Sequence, residues 1–302
     1  MTETFEGLVV RSAAGFVDVL VDGEVVQARI RGRLKNVPRT TDICVIGDRV
    51  SVSRPDERTA VVVEVRPRRT RFSRRQPGRG ARREDVLVAN LDQLLVTFCH
   101  GKPLLNLRLL DRFLVIAEHQ GIDAIIVMNK ADLRQPADAS WQDTYESIGY
   151  PIVNVSAGTG EGLDALREVL RGKISAFVGP SGVGKSSLIN RILPNLDLGT
   201  AEVSAHHGKG RHTTRVASLH RLPDGGFLAD TPGIRELGTW QLPVEHLDRC
   251  FPDLAPFRDR CAFRSCSHTH EPQCAVVAAV HAGDVDRDRY ESYVRLREEA
   301  AD

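Results

Sequence analysis

The sequence predicts a multidomain chain: an N-terminal five-stranded OB-like β-barrel, a central α/β domain with a mostly parallel sheet, and a C-terminal helical domain organised around cysteines. Three observations lead there. Residues 1–67 hold short, Val-rich, alternating stretches punctuated by glycine, proline and aspartate. From about residue 85, apolar strand-like segments alternate with segments of helical spacing. Three of the six cysteines crowd between residues 261 and 274. A length of 302 residues suits two or three hydrophobic cores, and 41% apolar residues is enough to fill them.

The barrel is expected over residues 1–67. The stretches EGLVVRS, GFVDVLVDG, EVVQARIRG, DRVSVSRP and AVVVEVRP carry the period of two of half-buried strands, and five such strands suit a small OB-like or SH3-like barrel. Such a barrel is either a plain structural domain or an oligonucleotide-binding one. A basic linker follows over 68–84. Half of RPRRTRFSRRQPGRGARR, residues 66–83, is arginine; it has no acidic residue, and Phe72 offers a ring for stacking. That combination favours nucleic-acid contact over a solvated run.

The central domain is expected over 85–241. DQLLVTF is a buried-type strand, and a helix follows with Leu107, Leu110, Leu114 and Ala117 on one face and Gly121 as its stop. DAIIVMN, PIVNVSA and ISAFVG are further strands, separated by the helical stretches WQDTYESIG and EGLDALREVLRG. This βαβ series implies a parallel sheet covered by helices on both faces. RVASLHRL and GGFLADT add two strands. The tail, 242–302, is helical on either side of Gly283.

Net charge is +1, a total that conceals the arginine run. The start, MTETFEGLVV, has neither the basic region nor the apolar core of a signal peptide. No apolar stretch approaches the roughly 18 residues of a membrane span. A cytoplasmic, monomeric protein with no membrane partner is expected. Cysteines in a reducing compartment do not build a disulfide framework, so the crowded ones point to metal.

Gly179, Pro180, Ser181, Gly182, Val183, Gly184, Lys185 and Ser186 fit the phosphate-binding loop pattern, with a strand entering, a helix leaving, and Ser187 next along that helix. Glycines let successive N–H groups face phosphates, and the helix N-terminus adds its dipole. Lys185 is expected at the β- and γ-phosphates and Ser186 on Mg²⁺. FLADTPG puts Asp230 at a strand end, to hold Mg²⁺ through water, and Gly233 where its N–H meets the γ-phosphate.

Asn129, Lys130 and Asp132 end the strand DAIIVMN in the pattern NKAD. A carboxylate at Asp132 accepts from guanine N1–H and N2–H₂, a donor pair that adenine lacks. Asn129 would tether loops, the stem of Lys130 would lie over the purine, and Ser156 with the Ala157 N–H would complete the base pocket. Base readers thus precede the phosphate loop. A parallel sheet tolerates that order, because joining the old termini and cutting one connection preserves every strand neighbour. The central domain is therefore expected to be a circularly permuted P-loop GTPase.

In GKGRHTTR, residues 208–215, Thr214 is the expected Mg²⁺ ligand of the GTP state, with Thr213 as the alternative. Ile234 stands where a water-orienting glutamine would follow DxxG. His212 is the nearby candidate for that role, and a partner contact is its other reading. Cys261, Cys266, His268 and Cys274 suit one tetrahedral, structural Zn²⁺ per chain. His270 is the substitute for His268, and Cys250 reads as a small core residue.

Together GPSGVGKSSLIN, GRHTT, DTPG, CAFRSCSHTHEPQCAV and VIGDRV, the last at Val45–Val50, resemble the circularly permuted, ribosome-small-subunit-dependent GTPase A family of bacteria. The resemblance covers nearly the whole chain. It implies a GTPase that acts late in small-subunit assembly and hydrolyses GTP to GDP and phosphate on the particle. It also implies that barrel and zinc domain contact ribosomal RNA. The residues alone support a guanine-nucleotide switch with two flanking domains. That leaves a GTP-regulated RNA-binding switch away from the ribosome, or a zinc-dependent nucleic-acid-binding module, as the competing readings.

Overall fold

A computed structural model describes residues 4–13, 16–31, 43–56, 59–75, 84–135, 140–194, 217–231, 234 and 244–301. The chain divides into two compact units. One comprises residues 1–94, 164–177 and 189–236, and the other 95–163, 178–188 and 237–302. Among the described residues, no helix is long and apolar enough to cross a membrane.

The first unit contains the barrel: β1 (Thr4–Ala13), β2 (Phe16–Val21), β3 (Glu24–Ile30), β4 (Arg49–Asp56) and β5 (Thr59–Val65). Their order is β1-β2-β3-β5-β4, and pairing of β1 with β4 closes the ring. Alternation fills it. Val17, Val19 and Val21 point inward with Val9, Ala28, Val50, Val52 and Val62, while Phe16 stays exposed. Asp22 and Gly23, both with positive φ (49° and 91°), make the tight β2–β3 turn that matches strand twist. Gly7 has no room for a side chain: a Cβ there would lie 2.4 Å from Val19 Cγ1.

Beyond the barrel, β1 pairs antiparallel with β12 (Ala217–Arg221), β12 antiparallel with β13 (Phe227–Asp230), and β13 parallel with β11 (Ile174–Val178). Helix α3 (Leu163–Leu170) lies almost wholly in this unit. Gln93 donates to Val169 O and Ser175 Oγ, both at 2.9 Å, which satisfies a fully buried amide.

The structure corrects the reading of residues 66–83 at Arg68, at Phe72 and in the strand 71–75. Arg71–Arg75 form a strand, β6, paired antiparallel with β7 (Glu84–Ala89). Phe72 is fully buried and opposes Val88, so it is a core residue and has no face for stacking on a base. Arg68 is not available to phosphate either. Its Nε and Nη2 donate at 2.7 and 2.8 Å to Asp48, a fully buried carboxylate that also accepts from Val45 N at 2.8 Å. Arg69 pairs with Asp92. Residues 76–83 lie outside the described residues.

In the second unit β8 (Gln93–Cys99), β9 (Asp123–Asn129) and β10 (Ile152–Asn154) run side by side in the order β10-β9-β8, with β9 and β10 parallel. Helix α1 (Leu107–Gln120) starts at Asn106, whose side chain accepts from Leu109 N, and stops at left-handed Gly121. Of the expected apolar face, Leu110, Leu114 and Ala117 are buried, while Leu107 at the helix start is half-buried. Helix α2 (Ser140–Ile148) precedes β10, and α4 (Lys185–Ile192) follows the phosphate loop.

The tail adds α5 (Ala255–Arg258), α6 (Ala275–Ala282) and α7 (Arg287–Ala301). It is anchored by Arg289, whose side chain is 2% exposed. The guanidinium donates to Asp111 of α1 and, at 2.8 Å, to Asp253. It also lies 4.6 Å from the Phe251 ring centroid and 5.1 Å from that of Tyr145. Burial opposes its charge, but the carboxylates of Asp111 and Asp253 outweigh that and hold its pKa well above the usual arginine value. Cys250 is buried as expected, and burial pushes its thiol up to about 12.

Candidate functional site

The phosphate loop, Gly179–Ser186, leaves β11 and opens α4. Its glycines are required by geometry. Gly179, Gly182 and Gly184 have φ of 138°, 82° and 93°, which side chains rarely adopt. A Cβ at Gly179 would meet Thr97 O at 2.1 Å, and one at Gly184 would meet Asn129 Nδ2 at 2.2 Å. Val183 is buried and pins the loop, while Ser181, Gly182 and Ser187 are exposed and Pro180 and Ser186 half-buried. The Lys185 ammonium curls over the loop and donates to Gly179 O at 2.8 Å and Pro180 O at 2.6 Å. A cation so held is where an oligophosphate places its charge.

Asn129, Lys130, Asp132 and Ser156, the candidate base readers, belong to the same unit as this loop. Asn129 is 2% exposed and joins three segments: its Nδ2 donates to Val183 O at 2.8 Å and its Oδ1 accepts from Ala157 N at 3.1 Å. The Ala157 N–H is thus engaged by Asn129. Lys130 sits in the left-handed region, φ 57°, which sends its stem back across the loop. Its ammonium reaches Gly182 O at 3.3 Å and also Lys102 O. Buried Ser156 donates at 2.5 Å to Asp132 Oδ1 and accepts from Thr159 N at 3.1 Å, which orients an otherwise exposed carboxylate.

Some contributors left no signal in the sequence. Thr97 O and Lys102 O act through main-chain oxygens, which any residue could supply. Asp230 ends β13 in the first unit and is half-buried. Ile234 is 3% exposed, a packed side chain rather than a catalytic one. His212, Thr213, Thr214 and Gly233 lie outside the described residues.

The second cluster is Cys261, Cys266, His268 and Cys274, whose ligand atoms all lie within 4.8 Å of one another and could hold a metal ion. Cys261 Sγ is 3.9 Å from Cys274 Sγ, and His268 Nδ1 is 3.4 and 3.5 Å from those two sulfurs. A tetrahedral ion with sulfur bonds of about 2.3 Å separates its sulfurs by about 3.8 Å, so the spacing fits. Burial lowers the pKa of His268, which keeps the ring neutral with a lone pair to offer. His270, the alternative ligand, is exposed and outside the cluster. Helix α7 braces the loop: Tyr293 and Tyr290 hydroxyls donate to Ser267 O at 2.7 Å and His268 O at 2.8 Å. Glu271 accepts from Ser267 N at 2.7 Å, and such bonds hold its carboxyl below the usual range despite some burial.

Comparison with known proteins covers the chain almost from end to end. The profile of the RsgA GTPase family matches residues 65–240, and that of the RsgA N-terminal domain residues 6–62. The chain is 48% identical over 303 residues to the small ribosomal subunit biogenesis GTPase RsgA of Gemmatimonas aurantiaca, covering 99% of this chain and 98% of that one. Among solved structures it resembles YjeQ from Thermotoga maritima, with a TM-score of 0.80, 33% identity and 99% of each chain covered. It also resembles YloQ, described as a circularly permuted GTPase, with a TM-score of 0.76, 30% identity and coverage of 99% and 96%. With the NKAD pattern of Asn129–Asp132 ahead of the loop Gly179–Ser186, a closed five-stranded barrel before them and a Cys₃His cluster behind, this chain belongs to the RsgA GTPase family.

Proposed function

We propose that this GTPase binds the small ribosomal subunit in the cytoplasm as a monomer and hydrolyses GTP to GDP and phosphate during late subunit assembly. The observation that carries the reading is the bond from Asn129 Nδ2 to Val183 O, which couples the guanine-reading strand end to the phosphate loop. Asp132 selects guanine, with Ser156 holding its carboxylate. Backbone N–H groups of Ser181–Ser186 and the Lys185 ammonium receive the β- and γ-phosphates. Ser186, Thr214 and Asp230 are the residues that would hold Mg²⁺, an all-oxygen donor set suited to a hard cation. Mg²⁺ supplies charge neutralisation on the phosphates. The Gly233 N–H receives the γ-phosphate, and His212 orients the attacking water.

Barrel (1–67), the connecting segment (68–84) that carries β6, permuted GTPase domain (85–241) and zinc-binding tail (242–302) act as functional segments, with barrel and tail against ribosomal RNA. The partner reading is supported by end-to-end similarity to relatives named as small-subunit biogenesis GTPases. Co-sedimentation tests it. The chain is expected to travel with purified small subunits when loaded with a non-hydrolysable GTP analogue and to stay in the supernatant with the matching ATP analogue. Equal retention with both, or with neither, contradicts the proposal.

The Cys₃His cluster holds one structural Zn²⁺, which ties the loop together and contributes folding energy directly. Metal analysis is expected to find one zinc per chain. Cys266→Ser should lose it and leave the segment around residues 261–274 open to protease. Full zinc content in a Cys261/Cys274 double variant would remove the site.

A further inference from the structure

We propose that His100 and Asn154 are positioning residues that set the guanine specificity of Asp132 by clamping the strand end that carries it. The inference rests on the reading of Asp132 as the base reader and adds the residues that fix its place. In the order β10-β9-β8, β9 lies between two neighbours, and Asn129–Asp132 leave the sheet at its end. On one side the His100 N–H, just past β8, donates to Asn129 O at 2.9 Å. On the other, the Ala131 N–H donates at 3.1 Å to Val155 O, just past β10. The His100 side chain closes the circuit, with its Nε2 3.1 Å from Asn154 Oδ1. An amide oxygen only accepts, so Nε2 carries the proton and donates.

The circuit runs from Asn129 to His100, Asn154, Val155 and Ala131, and back through Lys130. Its two arms continue into the pair that reads the base. Asp132 follows Ala131, and Ser156, which donates to Asp132 Oδ1, follows Val155. The spacing of the arms therefore sets where that carboxylate stands. Main-chain bonds tie β9 to each neighbour separately, whereas the His100–Asn154 bond ties the neighbours to each other. His100 is 3% exposed, which keeps water from competing for the bond. Asn154 has a firm seat as well. Gly162, with φ of 69°, packs on its carbonyl, and a Cβ there would lie 2.1 Å from Asn154 O. Ser156 N donates to Glu161 O at 2.9 Å and holds the same turn. A carboxylate that must meet two purine donors at once tolerates little displacement, because hydrogen bonds weaken steeply off their axis.

Equilibrium titration of the full-length chain with GTP and inosine triphosphate tests this. Hypoxanthine keeps N1–H and lacks the 2-amino group, so the ratio of the two affinities reads one bond to Asp132 and cancels the contribution of the phosphates. His100→Phe keeps an aromatic ring and removes the donor, and Asn154→Ala removes the acceptor. Each is expected to lower the ratio on the order of tenfold, the scale of one misaligned hydrogen bond to a charge. The double variant should lose no more than either single one, because both remove the same bond. His100→Gln, whose amide nitrogen reaches the place of Nε2, should restore the ratio. Suppose the parent discriminates, but both single variants keep its ratio or lose the two nucleotides alike. The pair then only supports the fold, and the inference is wrong while the reading of Asp132 stands. Additive losses in the double variant, or no recovery with glutamine, overturn the inference too. A parent that binds both nucleotides equally overturns the reading of Asp132 and the inference with it.

Discussion

Asp132→Asn is expected to weaken GTP binding by about 2–4 kcal/mol, the cost of two lost hydrogen bonds to the base. That is a factor of roughly 30 to 1,000 in affinity. The same variant should bind xanthosine triphosphate better than the parent does. Xanthine carries a carbonyl where guanine carries its 2-amino group, and the new amide can donate to it. The structure explains why the effect should be this clean. Ser156 donates to Asp132 Oδ1 and is itself tied to Thr159 N, so the acceptor is aimed before nucleotide arrives. The asparagine oxygen can keep the Ser156 bond, so the substitution changes the readout without collapsing the loop. Equilibrium titration with GTP, ATP and xanthosine triphosphate decides the matter. Comparable affinity of the parent for ATP and GTP would show that Asp132 does not read the base.

Arg289→Met should destabilise the tail by about 3–5 kcal/mol, because it strands buried carboxylates without their cation. Asp111 is 1% and Asp253 9% exposed as side chains, and both are bonded to the lost guanidinium. Tyr145 still donates to Asp111 at 2.6 Å, but one neutral donor does not replace a charge. The aromatic rings of Phe251 and Tyr145 lose the cation above them as well. Adding Asp111→Leu and Asp253→Leu should recover much of the loss, since an apolar set of similar volume removes the unpaired charges. Urea denaturation of the three proteins measures this. A single variant within 1 kcal/mol of the parent would mean that solvent reaches the cluster.

The parts legible in the sequence are those where chemistry leaves no choice of residue. Gly179 and Gly184 have no space for a Cβ, Lys185 must carry a charge, and three thiols with an imidazole must cluster. The barrel was legible because alternating valines can satisfy only one inward face. Phe72 misled because its neighbours are arginines; a composition rich in charge masked a five-residue strand in which Phe72 is buried. Arg68 misled for the same reason, since nothing local announces that Asp48, twenty residues back, is fully buried. Arg289 was invisible because its partners lie 36 and 178 residues away in sequence. The brace of Lys130 on Lys102 O could not be read at all, because a main-chain acceptor has no residue signature.

The most direct test of the central claim is GTP turnover by the full chain, alone and with purified small ribosomal subunits. With Ile234 packed away and no glutamine after the DxxG pattern, the free chain should be slow, roughly 10⁻⁴ to 10⁻² per second. Positioning supplies most of phosphoryl-transfer catalysis, so a partner that fixes the attacking water against the γ-phosphate should raise the rate by about a hundredfold or more. His212→Ala should keep subunit binding and lose most of that stimulation. A turnover number unchanged by saturating small subunits would contradict the account.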